Sequence, residues 1–145
     1  MSENSDDQRE RNKAVIRHYF AAYDTGDANA VWRFLDAEHL YYPPGGSEPM
    51  NLEGRKRDEL FFFEAFSNIH TTVDDQMAES DKVASRVTML ADHTGEYQKI
   101  PPTGTRVKFV FMDVSRVVSG KIIEEWTEFD MIGILQQLKR KKDSG

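Results

Sequence analysis

The sequence predicts an α+β domain with three N-terminal helices packed on a strongly curved, mainly antiparallel sheet. Two observations carry that prediction. Apolar residues recur at helical spacing through the first part of the chain, and after Ile69 the period shortens to two for most of the remainder. Helices first and strands afterwards is the order of an α+β fold, with the helices gathered on one face of the sheet. At 145 residues with no internal repeat, the chain has the length for one hydrophobic core.

The elements follow in order. Val15, Ile16, Tyr19, Phe20 and Tyr23 share one helical face, which predicts a helix from about Glu10 to Tyr23, with residues 1–9 a frayed or disordered terminus. "DTGD" ends it: Gly26 suits a helix C-cap, and Asp27 suits the N-cap of a shorter second helix carrying Val31, Trp32, Phe34 and Leu35. A very short strand near Leu40 to Tyr42 leads into the loop "PPGGSEPMNLEG", and a third helix starts near Glu53. Its Phe61, Phe62, Phe63 and Phe66 lie on more than one side, as for a helix buried against both a sheet and a cavity or partner, although core filling alone explains them too.

Beyond Ile69, Thr71, Val73 and Asp75 alternate with Thr72 and Asp74, and "KVASRVTMLAD", "TRVKFVFMDVSRVV" and "KIIEEWTEF" are three longer strand candidates joined by turns at "ESDK" and "VSGK". Between two of them stands "HTGEYQKIPPTG". A Pro-Pro pair cannot sit inside a sheet ladder, so Pro101 to Gly104 forms a rigid connection, either a plain turn or a hinge that fixes His93. An apolar run, "MIGILQQL", closes the chain as a final helix, and residues 139–145 read as a basic, solvated tail.

Composition narrows the function classes. The formal charge of −6 opposes general nucleic-acid binding despite "KRKK" near the end. The absence of cysteine excludes disulfides and thiol nucleophiles and fits a reducing compartment. The polar start "MSENSDDQRERNK" is unlike a signal peptide and no apolar run approaches membrane-spanning length, so a cytoplasmic, soluble protein without a membrane partner is expected. No Gly-x-Ser-x-Gly elbow and no His-x-x-x-His pair occurs, which disfavours a serine hydrolase and a metal site.

One long stretch carries a resemblance. His93-Thr94-Gly95, Ile100 to Gly104, Arg116, Gly120 to Ile122, Glu124, Trp126, Asp130 and Gln136 to Leu138 together resemble the SnoaL-like polyketide cyclase family, and the opening with Tyr19, Tyr23 and "TGDANAVWRFL" extends the likeness over residues 10–138. Lys99 stands where the family usually has Gly, and Glu125 where a His is frequent. The resemblance implies the nuclear transport factor 2-like cone, in which helices close a bent sheet around one deep pocket, commonly in a homodimer. It also implies a small apolar or polyketide-like substrate and an intramolecular aldol-type ring closure or isomerisation by an Asp with a His assisting, with no cofactor and no metal.

On that reading Asp130 and His93 are the catalytic candidates. Tyr19, Tyr23, Trp32, Tyr42, Phe62, Phe66, Arg116, Trp126 and Glu128 are the substrate-binding ones. Period-two alternation places Glu124, Trp126, Glu128 and Asp130 on one face, where burial beside Trp126 and the neighbouring acids would raise the Asp130 pKa. The bland alternatives stay open. Asp130 also suits the N-cap of the last helix, a lone His93 suits a structural role, and Arg116 suits pairing with nearby acids. "EE" at 124 and 125 suits a partly solvated strand edge, and His18, His39 and His70 read as structural or solvated. The aromatic candidates are individually compatible with the core. A non-catalytic domain that binds an apolar metabolite or a protein partner is the competing function, separable by whether Asp130 and His93 face a shared void.

Overall fold

The computed structural model describes residues 2–46 and 48–144. Helix α1 (Ser2–Ala22) runs through a short 3-10 turn, Tyr23–Thr25, into α2 (Ala28–Trp32). Gly26 provides the left-handed stop at φ 72°, and the Asp27 side chain caps α2 by accepting from the Asn29 N–H at 3.0 Å. The first helix starts earlier than its apolar stripe. Its bounds reach back to Ser2, and i,i+3 partners, Asp6 with Arg9, Gln8 with Arg11 and Glu10 with Lys13, line the added turns.

Strand β1 (Leu35–Tyr42) is longer than the sequence pattern suggests, because it pairs parallel to a later strand and is not edge-terminated by its own loop. A two-residue strand, β2 (Met50–Asn51), returns beside it, and Asn51 caps α3 (Leu52–Ala65). The remainder is the expected meander of β3 (Phe66–Glu79), β4 (Lys82–His93), β5 (Arg106–Val118) and β6 (Lys121–Phe129). One six-stranded sheet results, in the order β2-β1-β6-β5-β4-β3. Ser80, Ser119 and Gly120 take positive φ in the two hairpin turns, as the turn residues require.

Helix α1 lies across β3 and β4, so Ile16, Tyr19 and Phe20 meet Val83, Val87 and Met89 in the core. Alternation sends Val107, Phe109, Asp113 and Ser115 of β5 inward, while Lys108, Val110 and Met112 point out. A bulge between Arg116 and Val117, with one extra residue on β6, keeps both Ile122 and Glu125 inside.

The last helix, α4 (Met131–Ser144), packs on β5 through buried Ile134 and Leu138. Its backbone continues through the segment expected to be a solvated tail. Lys139 and Arg140 are exposed, and the side chains beyond them lie outside the described residues. Gln137 spans α4 and β5, its side-chain amide donating to the Lys108 carbonyl and accepting from the Lys108 N–H, both at 2.9 Å.

The His-Thr-Gly and Pro-Pro-Thr-Gly segments interlock. The Thr94 and Gly95 N–H groups both donate to the Ala65 carbonyl at the end of α3, and the His93 and Gly104 backbones close the turn through Thr105 and His93 carbonyls. A β-carbon on Gly95 would sit 2.0 Å from the Glu64 carbonyl oxygen, so only glycine lets the loop approach the helix end. Gly95→Ala is expected to cost about 3 kcal/mol, because the obstructing atoms are backbone and cannot rotate away. A thermal melt should fall by roughly 6–12 °C, and an unchanged melting temperature would refute the close-approach account.

Candidate active site

Seven polar side chains meet in the apolar interior of the cone: Tyr19 and Tyr23 from α1 and its 3-10 extension, His39 from β1, Arg55 and Glu59 from α3, Asp113 from β5 and Glu125 from β6. Each is there for a local reason. Tyr19 and Tyr23, like Arg55 and Glu59, stand four residues apart and so share a helical face. His39, Asp113 and Glu125 occupy inward positions of their strands.

Arg55 is the hub. Its Nη2 lies 3.2 Å from the Tyr19 hydroxyl, 3.3 Å from the Tyr23 hydroxyl, 3.5 Å from Glu59 and 3.6 Å from Glu125, and its guanidinium stacks 3.6 Å over the Tyr41 ring. The Tyr19 hydroxyl donates to Glu125 Oε1 at 2.9 Å and the Tyr23 hydroxyl to Glu59 Oε1 at 2.6 Å. Glu125 is also hydrogen-bonded to Asp113. Asp113 accepts from Ser115 Oγ at 2.7 Å and from Thr127 Oγ1 at 3.1 Å. Those two donors favour ionised Asp113, so the proton shared by the two carboxyls rests on Glu125.

Burial dominates the electrostatics. It pushes Glu125 well above the usual carboxylate range, with the Asp113 charge adding to the rise and Arg55 opposing it, and it raises Glu59 and Asp113 in the same direction. Burial also raises Tyr19 and Tyr23 and pushes Tyr41 up to about 12. Burial works against the charge of Arg55, but Glu59 and the surrounding tyrosines outweigh it and hold the guanidinium protonated. A buried ionic cluster of this kind is a poor source of stability, since desolvation offsets most of its attraction. Its concentration in one closed interior makes it the candidate site of this fold.

The residues singled out by sequence fall into several places. Tyr19 and Tyr23 belong to the cluster, and Phe62 is half-buried beside them with its edge toward Tyr23 at 6.3 Å. Phe66 is buried against His93. Trp32 is half-buried under the Lys56 ammonium. Trp126 and Glu128 share a face as expected, but it is the outer face of the sheet, and Tyr42 lies on it beside them. There Tyr42 and Trp126 stack at 5.1 Å and line a groove of about 320 Å³, and Glu128 accepts from the Gly45 N–H. Arg116 ties Asp81 to Glu124 on that same face.

Asp130 follows the outward positions, not the inward ones, and is exposed. Its carboxylate accepts from the Gly133 N–H at 3.0 Å, which makes it the N-cap of α4. His93 is buried, with Nδ1 accepting from the Thr103 N–H at 3.2 Å, and it secures the Pro-Pro-Thr-Gly turn. No contact among the described residues joins Asp130 to His93. The groups that do converge on one interior, His39, Arg55, Glu59, Asp113 and Glu125, were readable only as polar residues at inward positions of otherwise apolar strands or as an Arg-x-x-x-Glu pair inside an aromatic helix.

The family model for SnoaL-like polyketide cyclases matches residues 13–138. This chain belongs to the SnoaL-like polyketide cyclase family. The SnoaL-like domain is similar in structure to AclR from Streptomyces galilaeus, a candidate hydroxylase, at 26% identity and TM-score 0.83 over 91% of this chain and 83% of that one. It is also similar to IdmH from Streptomyces antibioticus, a candidate polyketide cyclase, at 27% identity and TM-score 0.76 over 88% of this chain and 98% of that one. An epoxide hydrolase of the LEH-like type from M. tuberculosis shares the fold at 16% identity and TM-score 0.71, covering 94% of this chain and 95% of its own. No curated protein matches the sequence. The nuclear transport factor 2-like architecture expected from sequence is therefore the fold of this SnoaL-like chain. No described helix is long and apolar enough to cross a membrane, and the described residues hold no cluster of three metal-ligating side chains.

Two outcomes test the site. Glu125, Glu59 and Asp113 have folded pKa values above their unfolded ones, so the folded state holds protons that the unfolded chain releases once the pH passes the ordinary carboxylate range of about 4 to 4.5. Stability contributed by these groups is full below that range and lost as pH rises through the folded values. Glu125→Gln, neutral throughout, should therefore gain stability relative to wild type between about pH 5 and pH 8 in denaturant melts, and parallel pH profiles would contradict the buried proton. For the cap, Asp130→Ala should lose about 1 kcal/mol while Asp130→Asn stays near wild type. Equal losses in melting temperature for the two would argue for a role beyond capping.

Proposed function

We propose that this SnoaL-like protein is a cofactor-independent acid/base enzyme acting on a small apolar or polyketide-like molecule, through an aldol-type ring closure or isomerisation. The observation that carries the reading is the Glu125–Asp113 carboxyl pair in the closed interior, flanked by Arg55 and the Tyr19 hydroxyl. Aldol and isomerisation chemistry needs a proton donor that stays loaded near neutral pH and fixed hydrogen-bond donors for an oxygen that gains negative charge. Glu125 suits the first role, with Asp113 holding its proton and orientation. Arg55, whose Nε–H has no partner among the described residues, suits the second. The part first given to Asp130 falls to Glu125, and His93 acts through the turn it secures. Phe62 and Phe63, half-buried beside Tyr23, supply apolar surface for the substrate body. The absence of cysteine supports a cytoplasmic setting.

The test uses a general carbon acid, α-tetralone, whose α-proton exchange with deuterated water is followed by NMR. Wild type is expected to accelerate exchange over buffer, and Glu125→Gln should lose roughly two to four orders of magnitude of that acceleration. No acceleration by wild type would return the chain to the reading of a binding domain.

A homodimer through the outer face of the sheet completes the proposal. Met77, Ala84, Val114, Trp126 and Tyr42 pair in register across five strands as one apolar row, and Met77 and Met112 are 69% and 51% exposed beside it. Such a surface suits an isologous contact. Sedimentation should give a dimer at micromolar concentration and a monomer for the Met77→Glu, Met112→Glu double variant. A wild-type monomer would overturn the dimer.

A further inference from the structure

His39 sits in the same interior with no exposed surface, and its two ring nitrogens have different environments. Nδ1 lies 2.9 Å from the Ile122 carbonyl oxygen. A carbonyl only accepts, so Nδ1 carries the hydrogen and Nε2 presents a lone pair. That Nε2 has no hydrogen-bond partner among the described residues, and the Glu125 carboxyl stands off at 3.9 Å through Oε1. Arg55 Nε is likewise buried without a partner. An acceptor without a donor and a donor without an acceptor, both buried in one cluster, are costly to leave unmatched. A single ligand that offers a proton to one and an oxygen to the other would satisfy both. A ketone with a hydrogen on its α-carbon has those two features side by side.

We propose that His39 is the catalytic base of this site, taking the α-proton of a carbonyl substrate on Nε2. The inference rests on the acid/base reading above and names the group which that reading left open. In the step, the C–H bond breaks and its electron pair becomes the enolate double bond. The carbonyl π pair moves to oxygen, which the Arg55 Nε–H, unpartnered among the described residues, receives. For ring closure the enolate carbon then bonds to a second carbonyl carbon, whose oxygen takes the proton of Glu125. The imidazolium proton on Nε2 passes across the 3.9 Å gap to the Glu125 carboxylate, so acid and base are both restored after ring closure. With a probe that cannot close a ring, the imidazolium exchanges with solvent and the enolate is reprotonated from it. Neither oxidant nor cofactor enters the balance.

Three titratable or charged groups act on His39: Glu125 from β6, Arg55 from α3 and Asp36 from its own strand. Burial lowers the imidazole pKa, and the attraction of Glu125 only partly opposes it, so the ring is neutral and able to accept a proton throughout the neutral range. The acidic limb of a pH–rate profile should accordingly lie below the ordinary histidine value of about 6.5.

The experiment pairs a spectrum with a rate. In wild-type protein labelled with nitrogen-15 at histidine, one imidazole should show Nδ1–H with an unprotonated Nε2 at neutral pH and below the ordinary histidine value of about 6.5. The signal should disappear in His39→Gln. A proton on Nε2 of His39 at neutral pH would overturn the proposal without any variant. With α-tetralone as probe, His39→Gln should lose about 100-fold or more of the catalysed exchange. An exchange rate within twofold of wild type overturns the role of His39, and if Glu125→Gln still abolishes exchange, the acid/base reading stands with Glu125 and Asp113 acting alone. No exchange by wild type overturns both.

Discussion

The fold is organised around one buried cation. Arg55 is drawn out of water into a shell of aromatic rings and carboxyls, and it is tolerated there only because α1, α3, β1 and β6 each deliver a compensating group. The requirement explains why the tyrosines of α1 are buried with their hydroxyls paired, and why a parallel strand, β1, enters an otherwise antiparallel sheet. It also accounts for an extra residue on β6 that keeps Glu125 facing inward beyond the bulge.

Much of this architecture was legible in the sequence, and the reasons differ by element. The meander could be read because β4, β5 and β6 alternate cleanly and their turns carry residues that accept positive φ. Gly26 and Asp27 announced the break between the first two helices because capping chemistry is local. Strand β1 was foreshortened, since "LDAEHLYY" owes its extended form to a partner more than eighty residues away, and pairing of that kind leaves no local trace. The start of α1 was likewise hidden: its first turns carry no apolar stripe and are lined by exposed polar pairs.

The site was harder to read than the fold. Period two correctly grouped Glu124, Trp126, Glu128 and Asp130 but could not say which face looked inward. An outward aromatic, Trp126, which in the structure stacks on Tyr42, made the wrong face resemble the core. Glu125 was passed over for the same reason, as one half of an acidic pair on what looked like a solvated strand. Its neighbour in space, Asp113, lies in a different strand, and Arg55 lies in a helix. Only tertiary structure converts three scattered charges into one cluster. The signal that was present in the sequence is a polar residue recurring at every second position of a strand whose other inward residues are Val and Phe.

Helix α4 has a consequence for how the molecule keeps to itself. Strand β6 stops pairing with β5 at Phe111, so the first residues of β5 have a partner in β4 but none on the other side of the ladder. Gln137 fills one rung of that gap with its side-chain amide, while Ile134 and Leu138 shield the strand with apolar bulk. The helix serves as a guard over a sticky seam. Without it, "RVKFV" would be an alternating, β-branched stretch with free backbone groups, the kind of template on which other chains add strands. A segment that contributes no group to the buried cluster thereby covers the stretch of β5 that β6 leaves unpaired.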